Sequence, residues 1–256
     1  MPFELTWMPE VLRKAGLKVA EVPGWADRGR GPMPTARGVM CHHTANANQR
    51  NMPSLDILIQ GRSDLPGPLA QLGLGRDGTY YIVAAGRANH AGSGAWKGIT
   101  AGNTSFIGIE AENGGTPADP WPEVQLDAYW RGTAALLTRL GAGASMCCGH
   151  KEWAPSRKPD PHSLDMNDFR DRVHRLQNGV GVIRPTIPAQ DPRTNRATLR
   201  RGARGEAVRA LQTKLDLGVD GIFGAMTEAA VRAFQRSHGL VPDGIVGPKT
   251  WAVLFP

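Results

Sequence analysis

Apolar positions in the first two thirds of the chain alternate between strand-like and helix-like spacing. Residues 9–16 have the pattern of a short helix ending at Gly16. Gly38-Val39-Met40-Cys41-His42 is a short apolar run of the buried-strand kind. Thr79–Val83, after an Arg76-Asp77-Gly78 turn, is a second, and Ser105 to Ala111 is a third. Between 123 and 140, Leu126, Tyr129, Trp130, Ala134, Leu137 and Leu140 recur at helical spacing, and Gly141 supplies the stop. Asp165 is placed to cap a last helix with Met166, Phe169, Val173 and Leu176 on one face. Strands and helices of these lengths predict an α/β layered domain.

The pattern changes after residue 179. Residues 180–197 contain three prolines and no helical or strand periodicity, so they are expected to be a linker between a domain over 1–179 and a second over 198–256. The second domain has short helical stripes: Val208, Leu211 and Leu215, then Ala230, Val231 and Phe234, then Trp251 and Leu254. Asp220-Gly221-Ile222-Phe223-Gly224 with Thr227 recurs 23 residues later as Asp243-Gly244-Ile245-Val246-Gly247 with Thr250. Each copy is expected to be a glycine turn feeding a helix capped by its threonine, which gives a small three-helix unit.

Composition narrows the function class. The 256 residues are 41% hydrophobic, which suits packed cores, and the net charge of +7 suits an anionic partner. The 30 basic residues are spread along the chain without a run of five, so a nucleic-acid partner is not expected. Their strong bias to arginine fits a GC-rich genome. Three cysteines, two of them adjacent, exclude a disulfide framework; Cys41, Cys147 and Cys148 are expected to be buried packing thiols. The first residues show no basic-then-apolar leader, and no segment is apolar enough to span a membrane. Synthesis in a reducing cytoplasm and a monomeric state are the expectations.

Two groups of residues could do chemistry. His42 and His43 end a strand, His150 follows Cys147-Cys148-Gly149, and Asp160 and His162 lie some ten residues beyond. Two histidines and a carboxylate can supply three zinc ligands and leave a position for water, although ordinary polar loop residues would look the same. In Ile107-Gly108-Ile109-Glu110-Ala111-Glu112, strand alternation puts both glutamates on one face. Either a general base or a solvent-facing carboxylate on an edge strand fits that pattern.

Together, Gly38 to Ala45, Ile107 to Glu110 and His150 through Pro161 resemble the zinc N-acetylmuramoyl-L-alanine amidase family, which includes bacteriophage endolysins and peptidoglycan-recognition proteins. The resemblance implies a mixed central sheet flanked by helices. It also implies zinc held by His42, His150 and Asp160, with Glu110 and Lys158 in catalysis. His90, in Asn89-His90-Ala91-Gly92, resembles a segment lining the family's substrate groove, and His43 is expected beside it. Residues 198–254 resemble the type 1 peptidoglycan-binding domain, which implies wall binding, with Gln235 as one contact. The implied partner is bacterial peptidoglycan, with anionic wall polymers as a further one. The implied reaction is zinc-assisted hydrolysis of the bond between N-acetylmuramic acid and L-alanine, in an endolysin-like enzyme that acts on the wall after release.

One departure is that Ala70-Gln71 stands where many relatives carry Tyr-His, so no tyrosine role is assigned. His162 is a competitor to Asp160. A non-catalytic recognition protein and a zinc peptidase acting within the stem peptide are the alternative readings.

Overall fold

The computed structural model describes residues 3–179 and 198–255. The chain divides into two compact units within residues 180–197. The expected linker occupies those positions and lies outside the described residues.

The first unit contains α1 (Met8–Lys14), β1 (Lys18–Glu21), β2 (Gly38–His43), α2 (Leu55–Gln60), β3 (Gly61–Arg62), β4 (Leu65–Pro66), β5 (Leu72–Leu74) and β6 (Thr79–Ile82). It continues with α3 (Gly102–Ser105), β7 (Phe106–Ala111), α4 (Glu123–Arg139), β8 (Cys147–Gly149), α5 (His150–Trp153) and α6 (Met166–Gln177). The main sheet runs β1-β6-β5-β7-β2-β8. Every neighbouring pair is parallel except β5 with β6, so the sheet is mixed, as expected. β2 and β7 are interior, buried on both faces, and therefore read as continuous apolar runs.

One face of the sheet is covered by helices. Val39, Cys41, Ile107 and Ile109 pack with Met8 and Leu12 of α1, Tyr129 and Leu137 of α4, and Phe169 and Val173 of α6. Asp165 caps α6 by accepting from the amides of Asn167 and Asp168. Met40 and Phe106 point to the other face, into a smaller cluster with Trp153. Alternation puts His42, Gly108 and Glu110 on that second face. Cys41 faces the helix side, with its Sγ 3.6 Å from that of Cys147, and all three cysteines are buried free thiols.

The second unit has α7 (Glu206–Lys214), α8 (Ala225–Ser237) and α9 (Pro248–Leu254) around its own core of Val208, Leu211, Phe223, Val231, Trp251 and Leu254. The two threonines are not caps. Gly224 and Gly247 occupy the cap positions, and Thr227 and Thr250 lie inside the first turn, buried. Each receives a hydrogen bond from a glutamine on the preceding helix: Gln212 Nε2 reaches Thr227 Oγ1 at 3.3 Å and Gln235 Nε2 reaches Thr250 Oγ1 at 3.2 Å. The same glutamines bond Asp220 and the Gly221 amide in one copy, and Asp243 and the Gly244 amide in the other. Gln235 is 1% exposed and its amide is used internally, which corrects its expected role as a wall contact. Among the described residues, no helix is long and apolar enough to cross a membrane.

Candidate metal centre and active site

Three chain segments meet at the carboxyl ends of the central strands, where open α/β sheets place their ligands. His42 is near the end of β2, opposite Glu110 of β7 in the parallel register. Tyr129 of α4 holds this end from the helix side: its hydroxyl accepts the His42 amide at 2.9 Å and reaches the carbonyls of His42 and Ile109. His150 opens α5 directly after β8. Its start is fixed by Glu152, which accepts the Gly149 amide at 2.9 Å and pairs with Arg170 of α6 at 2.8 Å. The loop that follows returns so that the Lys151 amide donates to the Asp160 carbonyl at 2.6 Å, which brings the Asp160 carboxylate to the histidines.

His42 Nδ1, His150 Nδ1 and Asp160 Oδ2 converge. The two nitrogens are 3.0 Å apart, and Asp160 Oδ2 is 3.0 Å from one and 3.1 Å from the other. All three residues are buried. The far nitrogen of His150, Nε2, lies 2.8 Å from the Ala91 carbonyl, which can only accept, so it carries the ring proton and Nδ1 presents a lone pair. Burial also holds His42 neutral, lowering its pKa to about 4. Lone pairs and a carboxylate oxygen packed this closely repel one another unless a cation lies among them. Two imidazole nitrogens and one carboxylate oxygen, with a further side open, are the donors of a catalytic zinc site, so the residues present fit zinc. His162 is not in this cluster; its Nδ1 is at 2.6 Å from Ser163 Oγ.

Glu110 is beside the cluster, its Oε1 3.9 Å from His42 Nδ1. Because β7 is interior, the edge-strand reading of this glutamate does not hold. Glu110 Oε2 is buried and has no hydrogen-bond partner among the described residues. Burial first, and then the negative charge of Asp160, raises the Glu110 pKa well above the usual carboxylate range, against an opposing contribution from Lys158. Glu112 is different: it is fully buried and accepts from Thr44 Oγ1, the Ser54 amide and Ser54 Oγ.

A cleft of about 590 Å³ opens over this group. Its walls include Glu110, His150, Lys158, Asp160 and His43, together with the apolar Leu58 and Leu69. His43 lines the cleft, but its Nδ1 accepts the His162 amide at 3.0 Å and so ties down the loop beyond Asp160. His90 also borders the cleft, yet both its nitrogens are engaged by protein. Nδ1 is 3.1 Å from His42 Nε2 and Nε2 is 3.0 Å from the Phe106 carbonyl. Ala70 is fully buried, and Gln71 beside it bonds the Gly108 amide and the Gly86 carbonyl, so neither reaches the cleft. Tyr129 and Glu152 were not legible as site residues: one reads as a helix-face aromatic, the other as a surface charge.

Comparison with known proteins agrees with this geometry. The family described as N-acetylmuramoyl-L-alanine amidase matches residues 32–163, and the peptidoglycan binding domain family matches 204–254. The 1,6-anhydro-N-acetylmuramyl-L-alanine amidase AmpD of Enterobacter cloacae is 38% identical over 88 residues, 34% of this chain and 46% of that protein. AmpD of Citrobacter freundii is 39% identical over 98 residues, 37% of this chain and 51% of that protein. The chain thus spans about half the length of the curated relatives it matches. A crystal structure of a selenomethionine AmpD derivative is similar with a TM-score of 0.50 and 25% identity, covering 67% of this chain and 99% of that one. With more than half of its length matched and the histidine–histidine–aspartate cluster in place, the chain belongs to the N-acetylmuramoyl-L-alanine amidase family and carries a peptidoglycan binding domain after it.

Proposed function

We propose that the chain hydrolyses the amide bond between N-acetylmuramic acid and the L-alanine of the peptidoglycan stem peptide. The observation that carries this reading is the meeting of a three-donor metal cluster and the Glu110 carboxylate in one cleft. Zinc bound there supplies Lewis acidity, lowering the pKa of water toward about 7 and polarising a carbonyl. The chain's own groups do the rest. The Glu110 carboxylate, whose Oε1 lies 3.9 Å from His42 Nδ1, accepts the proton of the attacking water and returns it to the leaving amine. Lys158 lines the same cleft, where its ammonium can stabilise the negative charge that develops on the carbonyl oxygen. His42, His150 and Asp160 hold the metal, and His43 keeps the Asp160 loop in place.

The second unit is read as the wall-binding module, which keeps the catalytic unit near an insoluble substrate. The pairing of the two supports a lytic role of the bacteriophage endolysin kind, and the net charge of +7 supports additional attraction to anionic wall polymers. A recognition protein without catalysis would not need an orphan carboxylate beside the metal donors.

The test is metal dependence. Protein stripped by a chelator is expected to stop releasing soluble fragments from labelled walls, and to recover when about one zinc per chain is restored. Full activity in metal-free protein would contradict the reading.

A further inference from the structure

We propose that His90 is a positioning residue, and that the segment His90-Ala91 sets the tautomers of both metal-binding histidines. The proposal rests on the metal reading of His42, His150 and Asp160, but not on which bond the protein cuts.

The Phe106 carbonyl can only accept a hydrogen bond. His90 Nε2 is 3.0 Å from it and therefore bears the ring proton. A neutral ring has one N–H, so His90 Nδ1 is an acceptor, and its partner at 3.1 Å is His42 Nε2. His42 must then donate from Nε2, which leaves its Nδ1 lone pair aimed at His150 Nδ1 and Asp160 Oδ2. The opposite tautomer would point a proton into the place a cation must occupy. The next residue does the same for the second histidine, because the Ala91 carbonyl accepts from His150 Nε2 at 2.8 Å. One short segment thus presents an acceptor to each ring, on the side away from the metal. Such partners fix ring orientation and raise ligand basicity.

The seat for His90 is built by two further residues. Gly108 lies in the middle of an interior strand, where glycine has little to offer except space. A Cβ there would fall 2.7 Å from His90 Cγ, so the imidazole occupies the room that Gly108 leaves. Asn103 Oδ1 accepts both the His90 and the Ala91 amides, at 3.0 and 2.8 Å, which fixes the backbone that presents the ring and the carbonyl.

The test is zinc affinity of the full chain, measured by competition with a chromophoric chelator. His90→Ala is expected to bind zinc about 10- to 100-fold more weakly. His90→Asn, whose amide oxygen can take the place of Nδ1, is expected to recover most of the loss. Wild-type affinity in His90→Ala would overturn the proposal, and so would equal losses in both variants, which would mean that the ring only fills space. A second measurement needs no substitution. In ¹⁵N spectra of the zinc-free wild-type chain, His42 is expected to carry its proton on Nε2 with an unprotonated Nδ1. A proton on His42 Nδ1 would overturn the proposal.

Discussion

Glu110 and Glu112 lie two residues apart and differ in what their oxygens touch. Glu112 has three donors on its carboxylate, from Thr44 and Ser54, and is sealed from the cleft. Glu110 has one buried oxygen, Oε2, with no donor among the described residues, while its Oε1 lies 3.9 Å from His42 Nδ1 beside the metal cluster. The first arrangement holds a loop and the second can move a proton. Glu110→Gln is therefore expected to keep zinc and folding while losing at least about a hundredfold in turnover. Glu112→Gln replaces an acceptor with a donor among three donors. It should lower thermal stability, at a cost of about 1–3 kcal/mol, and leave turnover in the folded fraction nearly intact. Turnover and melting temperature measured on both variants check the pair; a catalytic loss confined to Glu112→Gln would reverse the assignment. The side on which these glutamates lie could be read from strand alternation. The difference between them could not, because the donors on Glu112 come from 58 and 68 residues away. The same distance problem hid His90, whose partner His42 is 48 residues back.

At the scale of elements, strands and helices long enough to show a period were legible: β2, β6, β7, α4 and α6 fall where hydrophobic spacing puts them. The strands β1, β5 and β8 have three or four residues each, too few for a period, and exist because neighbours in the ladder complete their hydrogen bonds. In the second unit, the 23-residue repeat was visible, but its threonines were misread as caps. Their partners, Gln212 and Gln235, sit on the preceding helix and had no local signal. A further long-range element contact is the buried pair Arg76–Asp119, at 2.6 Å. Arg76 also donates to the carbonyls of Asn46 and Asn48, in the loop that follows β2, so the pair anchors one cleft wall. The hydrogen bond from Arg76 lowers the Asp119 pKa from the usual 3.8 to about 2. A lowered folded-state value means that the stabilisation is complete above about pH 4 and is lost as pH falls through about 2. Asp119→Asn is expected to cost about 3–5 kcal/mol near neutral pH, since it strands a buried guanidinium. The gap to wild type should narrow in chemical denaturation between pH 4 and pH 2. A gap independent of pH would show that Asp119 contributes through packing alone.

The whole molecule joins two units with separate cores. Residues 1–179 contain every member of the metal cluster and the cleft. Chain cut after residue 179 is expected to hold zinc and to process soluble muropeptides at close to the full-length rate. Its binding to intact walls should fall markedly in a pelleting assay, because a tethered module raises the local concentration of substrate. Equal wall binding with and without the second unit would remove the role given to it. Mass spectrometry of peptidoglycan digested by the zinc-loaded chain reads directly which bond is cut. The expected products are intact stem peptides with free L-alanine amino termini and glycan strands with free lactyl carboxyl groups. New amino termini within the stem peptide or cross-link, with the lactyl–alanine bond intact, would contradict the account.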